Sequence, residues 1–288
     1  MTTAGTGRLA RAKINLYLHV TGKRADGYHL LDSLIVFAET GDLLRVDAAD
    51  DLSLVLEGPF AGGLAGESDN LVLRAARALA AEAGVAPRAR IRLTKSLPIA
   101  SGIGGGSADA AAALLELSRL WQVDVAPARL QAIALALGAD VPVCVDGRPA
   151  FIGGIGEEIL PAGRLPDAWL VLVNPRVPTP TPQVFKARRG DFSPAARWQT
   201  PPADFETLIA YLASCRNDLT EPAISVAPEV AEVLTAIAAT EGCRLARLSG
   251  SGATCFGLYR DAATAEAAQA EIIRQHPGWW AVAARIAG

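Results

Sequence analysis

At 288 residues, with 51% hydrophobic and 20% charged side chains, the chain is long enough for two ordinary domains or one large one, and is too apolar to be disordered. A net charge of −3 with both signs interspersed leaves no basic stripe, so no nucleic-acid partner is expected. The longest stretch without a charged side chain, residues 96–108, is Gly-rich and has only 13 residues, so no membrane partner is expected either.

Arg8, Arg11 and Lys13 precede an apolar run, 14–20, that Asn15 and His19 interrupt. This makes a poor signal peptide and a good first strand, 9–20, and a cytoplasmic location is expected. Turn residues follow over 22–27, then strands over 33–39, 43–46 and 52–57. Leu71, Ala75, Ala78 and Leu79 follow helical spacing, so a helix is predicted over 70–83, ended by Gly84. An alternating strand, 89–94, leads into a loop over 96–106, and two more helices cover 108–121 and 128–137. Gly-rich, strand-leaning sequence runs on to residue 160, and 169–174 is a compact apolar strand. Four prolines within 175–182 predict an extended loop. Helices over 205–214 and 229–240 come next, followed by strand 246–248, a Gly/Ser loop, strand 254–259, helix 264–275 and strand 281–286. This irregular alternation reads as α+β with two lobes, divided near 150–166; the domains are taken as 1–160 and 161–288.

Cys144, Cys215, Cys243 and Cys255 lack CxxC spacing and the three histidines form no paired motif, which favours buried reduced thiols over a metal site. Positive charge is carried by 23 Arg and only four Lys. Lys13, Lys23, Lys95 and Lys186 are therefore candidates for places that a fork-shaped guanidinium does not fit.

The strongest chemical signal is Leu97-Pro98-Ile99-Ala100-Ser101-Gly102-Ile103-Gly104-Gly105-Gly106-Ser107-Ala108, which runs directly into a helix. Four glycines in five residues let successive N–H groups turn toward one point, and the helix behind adds unpaired N–H groups and a positive dipole end. A polyphosphate is the natural ligand. A tight strand-to-helix turn is the plainer alternative. Walker A is excluded because Ser107-Ala108 follows Gly106 where Lys-Ser/Thr is required, and a dinucleotide fingerprint from Gly102 would need Gly at 107. A second cluster, Ser249-Gly250-Ser251-Gly252, reads alone as a hairpin loop and, beside the first, as another edge of the same cradle.

These two loops resemble those of the GHMP kinases. Ala12-Lys13-Ile14-Asn15-Leu16, Gly22-Lys23-Arg24-Ala25-Asp26-Gly27-Tyr28-His29, Leu137-Gly138-Ala139-Asp140-Val141-Pro142 and Pro180-Thr181-Pro182-Gln183-Val184-Phe185 narrow the resemblance to the 4-diphosphocytidyl-2-C-methyl-D-erythritol kinases. The motifs keep family order from about residue 10 to residue 257. The resemblance implies a two-lobed α+β fold, with an N-terminal domain like ribosomal protein S5 domain 2 and a ferredoxin-like C-terminal domain. It also implies ATP as co-substrate and a small-molecule partner carrying a cytidine diphosphate group. The activity implied is phosphorylation of its 2-hydroxyl in non-mevalonate isoprenoid precursor synthesis. The alternatives are a kinase of mevalonate, homoserine or a sugar, or an inactive binding protein on the same fold.

By the same resemblance Asp140 is the catalytic base, although alone it reads as a turn aspartate; the backbone before Pro142 is expected to be extended there. Lys13 is its catalytic partner, and Asn15, two residues on along the same strand face, binds substrate. Tyr28 and Phe185, both expected in loops, sandwich the cytosine; His29 hydrogen-bonds it and Thr181 holds the substrate. Pro98 through Ala108 and Ser249 through Gly252 bind ATP, joined on the purine side by Asn70 and Lys95. A helix N-cap for Asn70 and a solvated charge for Lys95 stay open. Mg²⁺ is expected with ATP, and the resemblance names no protein ligand for it.

Overall fold

The computed structural model describes residues 7–64 and 70–287. The chain begins β1 (Arg8–Lys23), β2 (His29–Asp47), β3 (Leu52–Glu57), α1 (Leu71–Ala83), β4 (Ala89–Thr94), α2 (Gly105–Trp121), α3 (Pro127–Leu137) and α4 (Val141–Asp146). It continues with β5 (Ala150–Gly154), β6 (Glu158–Pro161), β7 (Trp169–Asn174), α5 (Thr181–Ala187), α6 (Phe205–Ala213), α7 (Thr220–Val226) and α8 (Glu229–Ala239). The last elements are β8 (Leu245–Leu248), β9 (Cys255–Tyr259), α9 (Ala262–Gln275) and β10 (Trp280–Arg285). Two compact units result. The first takes the chain up to Ala12, Thr40–Ile99 and Gly104–Gly147; the second takes Lys13–Glu39, Ala100–Ile103 and the chain from Arg148 on.

In the first unit β3 and β4 pair in parallel, Leu52 opposite Ala89, with α1 as the crossover, and β4 pairs antiparallel with the second half of β2. Strand β4 alternates, burying Ala89, Ile91 and Leu93 while Arg90 and Arg92 face out, as the period-2 pattern requires. Helix α1 starts where Asn70 Oδ1 accepts from Val72 N–H and stops at Gly84 in the left-handed region, φ +66°. Helix α2 is buried on almost every side through Ala108, Ala110 to Ala113, Leu114 and Leu117, and the small side chains let α1, α3 and α4 pack against it.

In the second unit the first half of β2 pairs with β5, Leu31 opposite Gly154, and β5 pairs with β6. A separate antiparallel sheet has the order β10-β7-β9-β8. With α8 between β7 and β8, and α9 between β9 and β10, this is a ferredoxin-like βαββαβ arrangement in which α5 to α7 are additions before α8. Its core joins Val171 and Val173 of β7 to Val230, Val233 and Ile237 of α8 and to Ala265 and Ile272 of α9. Both expected domain types are thus present.

Three expectations change. The strands predicted over 33–39 and 43–46 are one, β2: Gly41 lies inside it because a Cβ there would collide with the Ala10 carbonyl. The loop predicted to end at residue 106 ends earlier, since Gly105 and Gly106 already form the first turn of α2. The proline-rich segment gives way to α5 at Thr181, because Pro182 stands in a first turn, where a missing N–H is harmless. Among the described residues no helix is long and apolar enough to cross a membrane.

Candidate functional site

In the second unit β1 carries Lys13 and Asn15 on one face, both buried. Lys13 Nζ donates to Asn15 Oδ1 at 3.2 Å, and Asn15 Nδ2 donates to Ser33 Oγ at 2.8 Å. Ser33 Oγ donates in turn to the Tyr17 carbonyl at 2.6 Å. A buried ammonium and amide are stable only when bonded in this way, and the chain of donors fixes the orientation of the Asn15 amide. The Lys13 N–H also donates to the Ile103 carbonyl at 2.9 Å, tying β1 to the middle of the first glycine loop.

The two glycine loops interlock within this unit. Ser249 Oγ accepts from Asn15 N–H and donates to the Gly102 carbonyl, at 3.2 and 3.1 Å, and Thr254 N–H donates to the Ser101 carbonyl at 3.1 Å. Gly102 has φ +76°, and a Cβ on it would stand 2.5 Å from the Ser249 carbonyl oxygen and 2.8 Å from Gly252 N, so only glycine fits. Sequence reasoning missed the residue that shapes the second loop. Asn217 Nδ2 donates to the carbonyls of both Leu248 and Gly250 at 2.8 Å, while Asn217 Oδ1 accepts from Leu219 N–H at 2.9 Å. Its signal was local, an Asn-Asp pair just ahead of a short helix, a position where Asn commonly bonds backbone. Thr181 Oγ1 and Ser251 Oγ are 2.8 Å apart, joining one predicted substrate residue to the same loop.

His29 and Phe185 stack with centroids 5.1 Å apart and planes 25° from parallel. Phe185 is therefore not in a loop; it lies on α5, because the helix starts four residues before it. Tyr28 follows Gly27, φ +94°, and is 62% exposed, free of the packing that would mark a core aromatic. Partial burial, with Lys23 and Arg188 adding repulsion, holds the His29 imidazole below its ordinary value and so favours the neutral ring.

In the first unit the loop enters through buried Leu97 and Pro98, exposes Ile99, and leaves through Gly104 to Ala108; Gly104, φ +63°, is the N-cap of α2. Asn70 is the N-cap of α1. Lys95, which sequence left open as a solvated charge, is 3% exposed; its Nζ is bonded to Asp42 Oδ2 and, at 2.6 Å, to Asp109 Oδ2. Burial alone would lower the Lys95 value, but the flanking carboxylates raise it. Burial, reinforced by Asp42, pushes the Asp109 carboxyl up to about 7 against the pull of Lys95. Neither Asp42 nor Asp109 was foreseen. Asp140 is the N-cap of α4, with φ −85° and ψ −13°, so its backbone is helical where an extended one was expected. The residue before Pro142 is Val141, and Pro142 falls in the first turn of α4, where helix geometry overrides the extended bias. Asp140 is half-buried, and its carbonyl accepts from Cys144 N–H.

The models of the GHMP kinase N-terminal and C-terminal domains match residues 70–148 and 200–278. The 4-diphosphocytidyl-2-C-methyl-D-erythritol kinase of Paramagnetospirillum magneticum is 57% identical over 277 residues, covering 96% of this chain and 97% of that protein. A crystal structure of 4-(cytidine 5'-diphospho)-2C-methyl-D-erythritol kinase aligns with a TM-score of 0.80 at 36% identity, covering 98% of this chain and 100% of that one. The mevalonate kinase of L. major shares the fold alone, with a TM-score of 0.68 at 15% identity over 99% and 97% of the two chains. The chain belongs to the 4-diphosphocytidyl-2-C-methyl-D-erythritol kinase family of the GHMP kinases.

Proposed function

We propose that this chain transfers the γ-phosphoryl group of ATP to the 2-hydroxyl of 4-diphosphocytidyl-2-C-methyl-D-erythritol. The observation that carries the reading is kinship along the whole chain to kinases named for that substrate. Phosphoryl transfer asks little covalent work of a protein; it asks for positioning and for neutralisation of phosphate charge. The interlocked loops around Gly102 and Ser249 to Gly252 offer backbone N–H groups for the phosphates. Asp140 takes the proton of the attacking hydroxyl as the new P–O bond forms, and the Lys13 ammonium, oriented by Asn15, supplies positive charge at the reacting group. Tyr28, His29 and Phe185 bind the cytosine, which a mevalonate, homoserine or sugar kinase has no need to recognise. Among the described residues no group of three or more His, Cys, Asp or Glu is placed to hold a metal ion. Mg²⁺ brought in with ATP would supply further charge neutralisation at the phosphates.

The test is phosphate transfer from ATP to the cytidyl substrate, with mevalonate as control; turnover of mevalonate but not of the cytidyl compound would reject the assignment. Asp140→Asn should leave binding of both substrates nearly intact and lower kcat by about 10²–10⁴-fold, the usual range for general-base assistance. A loss under about tenfold would remove Asp140 from that role.

A further inference from the structure

Building on that kinase reading, we propose that Asp42, Lys95 and Asp109 form a buried clamp that holds the two ends of the phosphate loop, with Lys95 a positioning residue and not a ligand of ATP. Asp42 lies within β2, Lys95 just after β4 and Asp109 in the second turn of α2. At the loop's entry Asp42 Oδ1 accepts from the N–H groups of Ser96 and Leu97 at 2.6 and 2.9 Å. At its exit Asp109 sits four residues past Gly105, the first residue of α2. Lys95 Nζ joins the two carboxylates, bonding the second oxygen of Asp42 and Asp109 Oδ2. The three side chains are 0–4% exposed, so the ammonium is turned inward and committed to the carboxylates.

The geometry leaves little slack. A Cβ built on Gly105 would lie 3.6 Å from Lys95 Nζ and 3.7 Å from Asp42 Oδ2, so the first turn of the helix rests directly on the ion pair. Two buried carboxylates on one ammonium are stable only while the cation stays in place, because a buried charge stripped of its partner is strongly destabilising. Asp109 Oδ1 has no hydrogen-bond partner, which marks the cluster as carrying one carboxylate more than the ammonium satisfies. Removing Lys95 therefore strands both carboxylates and releases the loop ends together. Removing Asp109 as well relieves that stress without restoring any group that ATP could touch.

This asymmetry separates a clamp from a ligand. Binding of a non-hydrolysable ATP analogue with Mg²⁺ is measured by calorimetry on wild type, Lys95→Met and Lys95→Met/Asp109→Asn. Displacement of the loop should weaken the analogue by about tenfold to a hundredfold in Lys95→Met, and the double variant should recover most of that loss. A double variant as weak as Lys95→Met would overturn the clamp and make Lys95 a ligand. Should Lys95→Met fail to fold, Asp42 provides the second measurement: Asp42→Asn keeps an acceptor for Ser96 and Leu97 and should lose less affinity than Asp42→Ala. Equal affinities for those two variants would also overturn the proposal. A wild-type chain that bound no nucleotide would instead remove the kinase reading, and the clamp's role with it.

Discussion

His29 and Phe185 pack ring against ring. Family resemblance expects Phe185 and Tyr28 to sandwich a cytosine, yet one face of Phe185 already carries the His29 ring. On that reading the ring proposed to stack a base also shelters an imidazole, and Phe185→Ala would remove both effects. Base–aromatic stacking is worth about 1–3 kcal/mol by alanine substitution, or roughly fivefold to 150-fold in affinity. KM for the cytidyl substrate should rise by about that factor, with KM for ATP little changed. Phe185→Trp should be milder because a flat face persists. Burial is the first cause of the depressed His29 value, so its titration should move up toward the ordinary histidine range in Phe185→Ala, measurable by NMR. An unchanged KM for the cytidyl substrate would make Phe185 structural and undermine the substrate assignment.

At the scale of elements, the first glycine loop is not uniformly intolerant of side chains. Gly102 combines φ +76° with backbone atoms of Ser249 and Gly252 within 2.8 Å of a would-be Cβ, and backbone cannot swing aside as a flexible side chain can. Gly102→Ala should therefore force the two loops apart, costing about 1–3 kcal/mol in stability and weakening ATP binding at least about tenfold. Gly106 meets nothing within 4 Å, and Gly106→Ala, in the first turn of α2, should raise the melting temperature. Melting curves of the two variants check the contrast, and equal stability would mean that the loops do not touch as described. Much of this loop was legible from its letters alone, as were most strands and the long helices α1 and α2, because periodicity and Gly punctuation act locally. The misses share one cause. Gly41-Asp42 reads as a turn in sequence, but Gly41 is there for the close approach of Ala10 and Asp42 for the amides of Ser96 and Leu97. Helix α5 hides behind prolines that happen to fall in its first turn. Lys95 and its carboxylates lie 53 and 14 residues apart, beyond any local pattern. The one available hint was Asp109, a lone acid at the head of an alanine-rich helix with apolar residues on every side.

For the molecule as a whole, the same cluster predicts how stability responds to pH. Asp109 is raised by burial and by Asp42 to about 7, well above the ordinary carboxyl value of about 4. A group raised on folding contributes stability that is fully present below its unfolded value and is lost as pH rises through its folded one. Between about pH 4 and about pH 7, then, the contribution of Asp109 is progressively lost, and above about pH 7 it levels off. His29 acts in the opposite sense: its depressed value gives a contribution present above the ordinary histidine range and lost as pH falls through the folded one. Asp204, Glu206, Asp218 and Asp261 are also depressed, so their contributions fade only in more acidic solution, below about pH 4. All of these are shared by wild type and Asp109→Asn, so the difference between the two isolates Asp109. Urea midpoints should show the variant gaining on wild type from about pH 4 to about pH 7, steadily between the two values, with little further change above about pH 8. A flat difference across that range would mean that Asp109 stays ionised in the folded chain and that Lys95 neutralises it fully.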